Sequence, residues 1–76
     1  MQRTPVVSSH LAAVGYDAHT RILEVEFVNG QIYQYFRVPP EIYRGLLKSE
    51  TVGGYFQKYV KDASYCYTNI TGGPVA

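Results

Sequence analysis

The residues best suited to chemistry are Thr51-Val52-Gly53-Gly54-Tyr55. A hydroxyl and two glycines at the head of an apolar-periodic stretch read as a helix start whose backbone stays reachable. Unpaired N–H groups at such a start carry partial positive charge, and glycines let a phosphate approach closely. Each glycine lowers helix propensity by roughly 1 kcal/mol relative to alanine, a cost that asks for a reason. Anion binding is one reason; tight packing of the helix start against a sheet is the other. Arg37 and Lys58 are the cations best placed to neutralise a phosphate, Lys58 lying one turn past the glycines. Each taken singly also fits an ordinary solvated surface charge. Lys61, Arg44 and Lys48 are weaker choices. Tyr55 and Tyr16 offer rings on which a base stacks. The expected ligand-binding set is therefore Arg37, Thr51, Gly53, Gly54, Tyr55 and Lys58.

Other chemistry is poorly supplied. His10 and His19 have no nucleophile pattern beside them. Cys66 has no activating neighbour and reads as a small buried hydrophobe. No histidines, cysteines or carboxylates fall at metal-ligand spacing. Glu24 and Glu26 share one strand face and read as solvated. No catalytic residue, metal or cofactor is expected.

Elements must hold these residues in place. Ile22 to Phe36 reads as two alternating strands around Asn29-Gly30, a β-hairpin with Tyr33-Gln34-Tyr35 on its second arm. A two-residue loop would pair Phe27 with Ile32 and set Tyr33 and Tyr35 beside Glu24 and Glu26. A three-residue loop with Gly30 left-handed pairs Phe27 with Gln31 and sets Tyr33 against Val25 and Tyr35 against Leu23. A one-residue slip exchanges every side chain between faces. The bulged register sorts better: Leu23, Val25, Phe27, Tyr33 and Tyr35 go inward, and Glu24, Glu26 and Gln34 go outward. It leaves Ile22, Ile32 and Phe36 on the outer face, where no further helix is available, so these three are the expected oligomer interface.

Before the hairpin, His10 to Tyr16 reads as a strand and Asp17 to Thr20 as a turn. After it, Pro39-Pro40-Glu41 opens a helix with Ile42, Tyr43, Leu46 and Leu47 as its apolar stripe. Thr51 reads as the N-cap of a second helix, whose Val52, Tyr55, Phe56, Tyr59, Val60 and Ala63 follow helical spacing. Gln57, Lys58, Lys61 and Asp62 form its wet face. Tyr65-Cys66-Tyr67 alternates as a short last strand and echoes the earlier Tyr-x-Tyr. The class is α+β: a three-stranded antiparallel meander, then two helices packed on one sheet face, with a possible short C-terminal strand. Residues 1–7 are expected to be a flexible arm, 8–68 one domain, and 69–76 a flexible tail.

Composition bounds the rest. Seventy-six residues make one domain, and a chain of this size buries only roughly 60% of its unfolded surface, which favours self-association. Eight tyrosines and three phenylalanines supply much of the core volume. A formal charge of +1 gives no strong field for nucleic acid or an anionic membrane. A single cysteine excludes an intrachain disulfide and fits a reducing, cytoplasmic setting. No apolar run approaches the roughly 18 residues of a membrane span. Ser8-Ser9-His10 interrupts any signal-peptide core. Asn69-Ile70-Thr71 matches a glycosylation sequon that carries no meaning in a cytoplasmic protein.

Taken together, Ser8-Ser9, Val14-Gly15-Tyr16-Asp17, Leu23-x-Val25-x-Phe27, Gly30, Tyr33-x-Tyr35, Val38-Pro39 and Thr51-x-Gly53-x-Tyr55-Phe56 resemble the KTSC family. These small domains are named for a copy at the C-terminus of some lysyl-tRNA synthetases. The resemblance runs from about Ser8 to Tyr67. Serine often stands in the family where this chain has Thr51, and asparagine where it has Gln57. The resemblance implies a free-standing copy of the kind found in bacteria and their phages, in the host cytoplasm if phage-encoded. It implies RNA binding as one role. Similarity to small phage proteins implies another, that of a sponge soaking up cyclic nucleotide immune signals. The leading expectation is a non-catalytic homo-oligomer, dimer or tetramer, that binds a phosphate-bearing nucleotide. An RNA-binding accessory domain and a structural or protein-interaction module are the alternatives, and no membrane partner is expected.

Overall fold

Alternating apolar and polar residues, broken by turn-forming Asp17–Thr20 and Asn29–Gly30, fold into a meander flanked by two short edge strands. The computed structural model describes residues 3–70. The strands are β1 (Thr4–Pro5), β2 (Leu11–Asp17), β3 (Ile22–Phe27), β4 (Ile32–Tyr35) and, after the helices, β5 (Tyr67–Asn69). They form one sheet in the order β1-β2-β3-β4-β5, every pair antiparallel. Helices α1 (Pro40–Lys48) and α2 (Val52–Phe56) cover one face, and α2 runs on as a π-helical turn over Gln57–Lys61. The class is α+β. The core lies between sheet and helices: Leu11, Val14, Leu23, Val25 and Tyr35 from the strands meet Val38, Leu46, Val52, Phe56 and Val60.

The hairpin takes the bulged register. Leu23 pairs with Tyr35, Val25 with Tyr33 and Glu26 with Ile32. Phe27 N–H donates to the Gln31 carbonyl at 2.8 Å, and Gly30 N–H to the Phe27 carbonyl at 2.9 Å. Gly30 has φ +91° and open space where a Cβ would stand, so glycine is needed here for conformation and not for room. The Asn29 side chain accepts from Gln31 N–H at 3.0 Å and fixes the loop.

Several expectations need correction. Glu24 is not solvated: it is only 3% exposed. The segment read as a loose arm supplies the reason. Thr4 pairs with Val14 and Pro5 with Ala13, so the next step of that register sets Arg3 opposite Gly15. Gly15 has no side chain, and Arg3 reaches across it to ion-pair with Glu24, while its Nε lies 3.3 Å from Glu26. Gln34 Nε2 donates to Glu24 from the other side at 2.8 Å. Pro5 is tolerated because it sits on an edge strand. Met1 and Gln2 of the expected arm lie outside the described residues.

The second helix also differs. Thr51 Oγ1 makes no capping bond. Its backbone N–H instead donates to Ser49 Oγ at 3.1 Å. The α-helix stops at Phe56, and Asp62 N–H bonds the Gln57 carbonyl five residues back at 2.9 Å. Ser64, at φ +63°, then turns the chain toward β5, leaving Ala63 exposed. The last strand is displaced from Tyr65–Tyr67 to Tyr67–Asn69. Cys66 is exposed rather than buried. Of the expected tail, Asn69 belongs to β5 and Ile70 N–H bonds the Ile32 carbonyl at 2.9 Å; residues 71–76 lie outside the described residues.

Candidate functional site: an aromatic groove

Helix α2 does not cover the whole inner face of the sheet. Beyond the core, the hairpin end of β3, β4 and β5 and the groove-facing side of the second helix enclose a groove of about 650 Å³. Phe27, Tyr33, Tyr35 and Tyr67 line it from the sheet, Gly53, Phe56, Gln57 and Lys61 from the helix, with Tyr65 and Ser64 following. The alternation that buries Val25 places Phe27, Tyr33 and Tyr35 on this face, and the Tyr35–Tyr67 pairing brings Tyr67, the second tyrosine of the later Tyr-x-Tyr, against them.

The rings support one another. Phe56 meets Phe27 and Tyr35 edge-on, with centroids 5.6 and 5.5 Å apart. Tyr67 lies 5.7 Å from Tyr33 and 5.5 Å from Tyr35 in tilted contact. Tyr67 is nonetheless 62% exposed, on the edge strand β5. Aromatic pairs of this kind contribute about 0.5–1.5 kcal/mol each beyond their buried area. Burial, followed by the neighbouring Tyr33 and Tyr67, pushes the Tyr35 phenol up to about 12, so it stays protonated at ordinary pH. His10, Asn29, Gln31 and Gln57 add polar groups, and among the described residues Lys61 is the single Lys, Arg, Asp or Glu lining the groove.

The residues expected to bind a ligand are dispersed. Thr51, Gly53 and Gly54 border a smaller depression of about 270 Å³ shared with Ser8, Ser9 and His10. Among the described residues that line it, Glu50 is the one Asp, Glu, Lys or Arg. Ser8 Oγ accepts from the N–H groups of His10 and Leu11 at 3.2 and 3.3 Å, so it fixes the start of β2. A Cβ on Gly53 would stand 3.1 Å from that same Oγ, which makes close packing the local reason for this glycine. Gly54 is open, 3.4 Å from Thr51 Oγ1.

Tyr55 turns toward α1, where a Cβ on Gly45 would lie 2.0 Å from its hydroxyl oxygen. Burial raises its phenol pKa, with Tyr59 and Tyr65 adding to the shift. Tyr16, the other expected stacking ring, stacks on Tyr43 at 5.2 Å and donates to the Val38 carbonyl. Lys58 lies over the Tyr59 ring, 5.3 Å from its centroid, and lines neither depression. Arg37, at φ +60°, sits beside Arg21 at the far end of the sheet, where Val38 N–H bonds the Arg21 carbonyl. A six-residue strand separates that end from the hairpin loop, roughly 20 Å at 3.3 Å per residue. The structure therefore does not bring Arg37 to Thr51–Gly54.

Gln57, Lys61 and Tyr67 were absent from the expected set. The first two read as the wet face of a helix, yet they stand at successive four-residue steps from Gly53. That spacing, with the repeated Tyr-x-Tyr, is the signal in the sequence for this groove. Among the described residues no cluster of three or more His, Cys, Asp or Glu suits a metal ion, and no helix is long and apolar enough to cross a membrane.

Comparison with known proteins places this architecture. The chain matches a crystal structure of a KTSC domain protein from Yersinia pestis with a TM-score of 0.84 at 33% identity, covering 91% of this chain and 96% of that one. It is 41% identical over 70 residues to an uncharacterized protein of Stutzerimonas stutzeri, covering 92% of this chain and 99% of that protein. It is also 37% identical over 46 residues to a lysine–tRNA ligase of Nostoc punctiforme, where the match spans 60% of this chain but only 8% of the ligase. The family model for the KTSC domain matches residues 7–67, and the chain belongs to that family.

Proposed function

We propose that this chain is a small non-catalytic binding module that holds a phosphate-bearing nucleotide in the aromatic groove. The observation that carries the reading is the groove itself: aromatic walls, a few polar groups and a single cation, in a volume of about 650 Å³. Small-molecule sites commonly enclose roughly 300–1,000 Å³ with mainly apolar and aromatic walls and a few placed polar groups. A nucleobase stacked on an aromatic side chain gains about 1–3 kcal/mol whatever its identity. The exposed ring of Tyr67 is where such a base would lie.

A module that binds a nucleotide without turning it over lowers its free concentration. A phage-encoded sponge for cyclic nucleotide immune signals, working in the host cytoplasm, is the form of this reading we favour. Self-association into a dimer or tetramer would suit a domain of this size.

A second reading, an RNA-binding accessory domain, is favoured by one observation, the match to part of a lysine–tRNA ligase. Its weakness is charge: RNA affinity rests on several phosphate contacts, and Lys61 is the groove's only Lys or Arg among the described residues. Calorimetry with mononucleotides, cyclic dinucleotides, linear dinucleotides and short RNA decides between them. The nucleotide reading expects heat with a small ligand and only a gentle fall as salt rises. Binding of RNA alone, with a steep salt dependence, supports the second reading; heat from none of these ligands removes both.

A further inference from the structure

Lys61 is the groove's one full positive charge among the described residues, and no ion pair engages it there. Asp62 follows it in sequence, but that carboxylate accepts a hydrogen bond from Gln57 Nε2 at 3.2 Å. The rival cations are elsewhere: Lys58 over Tyr59, Arg3 against Glu24 and Glu26, and Arg37 at the far end of the sheet. The depression at Thr51–Gly54 has only the carboxylate of Glu50 as a charge.

The π-helical turn explains how Lys61 reaches this position. In an α-helix, each four-residue step advances about 40° around the axis, so residues eight apart are offset by about 80°. Gly53, Gln57 and Lys61 would then drift around the helix. The turn over Gln57–Lys61 is closed by a bond spanning five residues instead of four. It holds more residues per turn and takes back part of that drift. All three residues consequently line the same groove. Gln57 offers an amide, and Lys61 is exposed at the solvent edge.

We infer that Lys61 takes the ligand's phosphate while the aromatic wall ending in Tyr67 takes its base, so that the groove separates a nucleoside monophosphate from the bare nucleoside. The inference rests on the nucleotide reading above and specifies which residue recognises the charge. A hydrogen bond to an ionised partner is about twice as strong as a neutral one.

The test is calorimetry of the full chain with adenosine, guanosine, their 5′-monophosphates and a cyclic dinucleotide at fixed ionic strength. It uses the wild type, Lys61→Ala, Lys61→Arg, Lys58→Ala and Tyr67→Ala, each checked for a native melting transition. A monophosphate is expected to bind about tenfold or more tightly than its nucleoside. Lys61→Ala brings that ratio to about one with the nucleoside affinity unchanged, Lys61→Arg restores it, and Lys58→Ala leaves it alone. Tyr67→Ala weakens nucleoside and monophosphate alike. If only the cyclic dinucleotide binds, Lys61→Ala must weaken it by a similar factor. A ratio that survives Lys61→Ala, or equal losses for both ligands in that variant, overturns the role of Lys61 and leaves the nucleotide reading standing. Equal wild-type affinity for nucleoside and monophosphate does the same. Absence of binding by every probe sinks the nucleotide reading itself.

Discussion

A Cβ on Gly45 would lie 2.0 Å from the Tyr55 hydroxyl oxygen and 2.6 Å from the ring carbon that carries it. One on Gly54 would meet nothing closer than Thr51 Oγ1 at 3.4 Å. Alanine gains roughly 1 kcal/mol over glycine inside a helix, and overpacking costs about 1–3 kcal/mol. Gly54→Ala should therefore raise stability by up to about 1 kcal/mol, and Gly45→Ala should lower it by up to about 2 kcal/mol. Urea denaturation midpoints read both. A stabilised Gly45→Ala would mean that Tyr55 is not held where α1 and the second helix meet. The Tyr35 phenol yields a prediction in pH. Its pKa is raised in the folded chain to about 12 from 10.0, so between those values the native state binds more protons than the unfolded state. Stability is then complete below pH 10 and falls as pH rises toward 12. Tyr35→Phe should flatten that fall in denaturation curves taken across the interval. An unchanged alkaline slope would assign it to other tyrosines, of which Tyr16 and Tyr55 are shifted in the same direction.

At the scale of elements, the hairpin was legible because two signals agreed: alternation over Leu23–Tyr35 and a loop glycine that permits the bulge. The edge strand β1 was not legible. Two residues including a proline leave no periodic trace, and Arg3 reveals its partner only once Gly15 is known to lie between them. The fate of Glu24 followed from that omission, since its burial requires cover from a strand remote in sequence. The π-helical turn was hidden for a different reason. Val52, Phe56 and Val60 are buried at four-residue steps, a spacing that both helix types satisfy. The groove was missed because its walls come from elements far apart in the chain, and its helical residues looked like solvent-facing polar ones. The Arg3–Glu24 pair makes this account testable. Removing one partner of a buried pair strands the other charge. Because Arg3 keeps 28% of its side-chain exposure, water softens the loss. Arg3→Ala should cost about 1–3 kcal/mol, and Glu24→Gln in that background should recover part of it. A neutral Arg3→Ala, judged by thermal and urea melts, would show that β1 contributes little to the sheet.

Over the whole molecule, the question is what the outer sheet face does. Extending the observed register sets Ile22 beside Phe36 and then Cys66, and sets Ile32 beside Ile70. The row of Arg3, Glu24 and Gln34 runs between these two apolar groups. The expected interface of Ile22, Ile32 and Phe36 is therefore split by a polar seam, and each of the three is half-buried rather than fully exposed. Large exposed apolar residues also occur away from this face, Leu47 and Tyr59 on the helices being 42% and 41% exposed. Self-association through the outer face is thus proposed in a narrower form, with the Ile22–Phe36 pair at its centre and the charged seam at its rim. A fully buried seam would place an ion pair in the interface at a desolvation cost, whereas a rim position leaves it in water. Phe36→Glu should then shift the sedimentation coefficient to that of a monomer, and Ile32→Glu should shift it much less. Equal disruption by both would centre the interface on the seam. A wild-type chain that sediments as a monomer at its highest soluble concentration removes outer-face pairing altogether. The groove would then have to act within a single chain, as its lining of residues from one chain already allows.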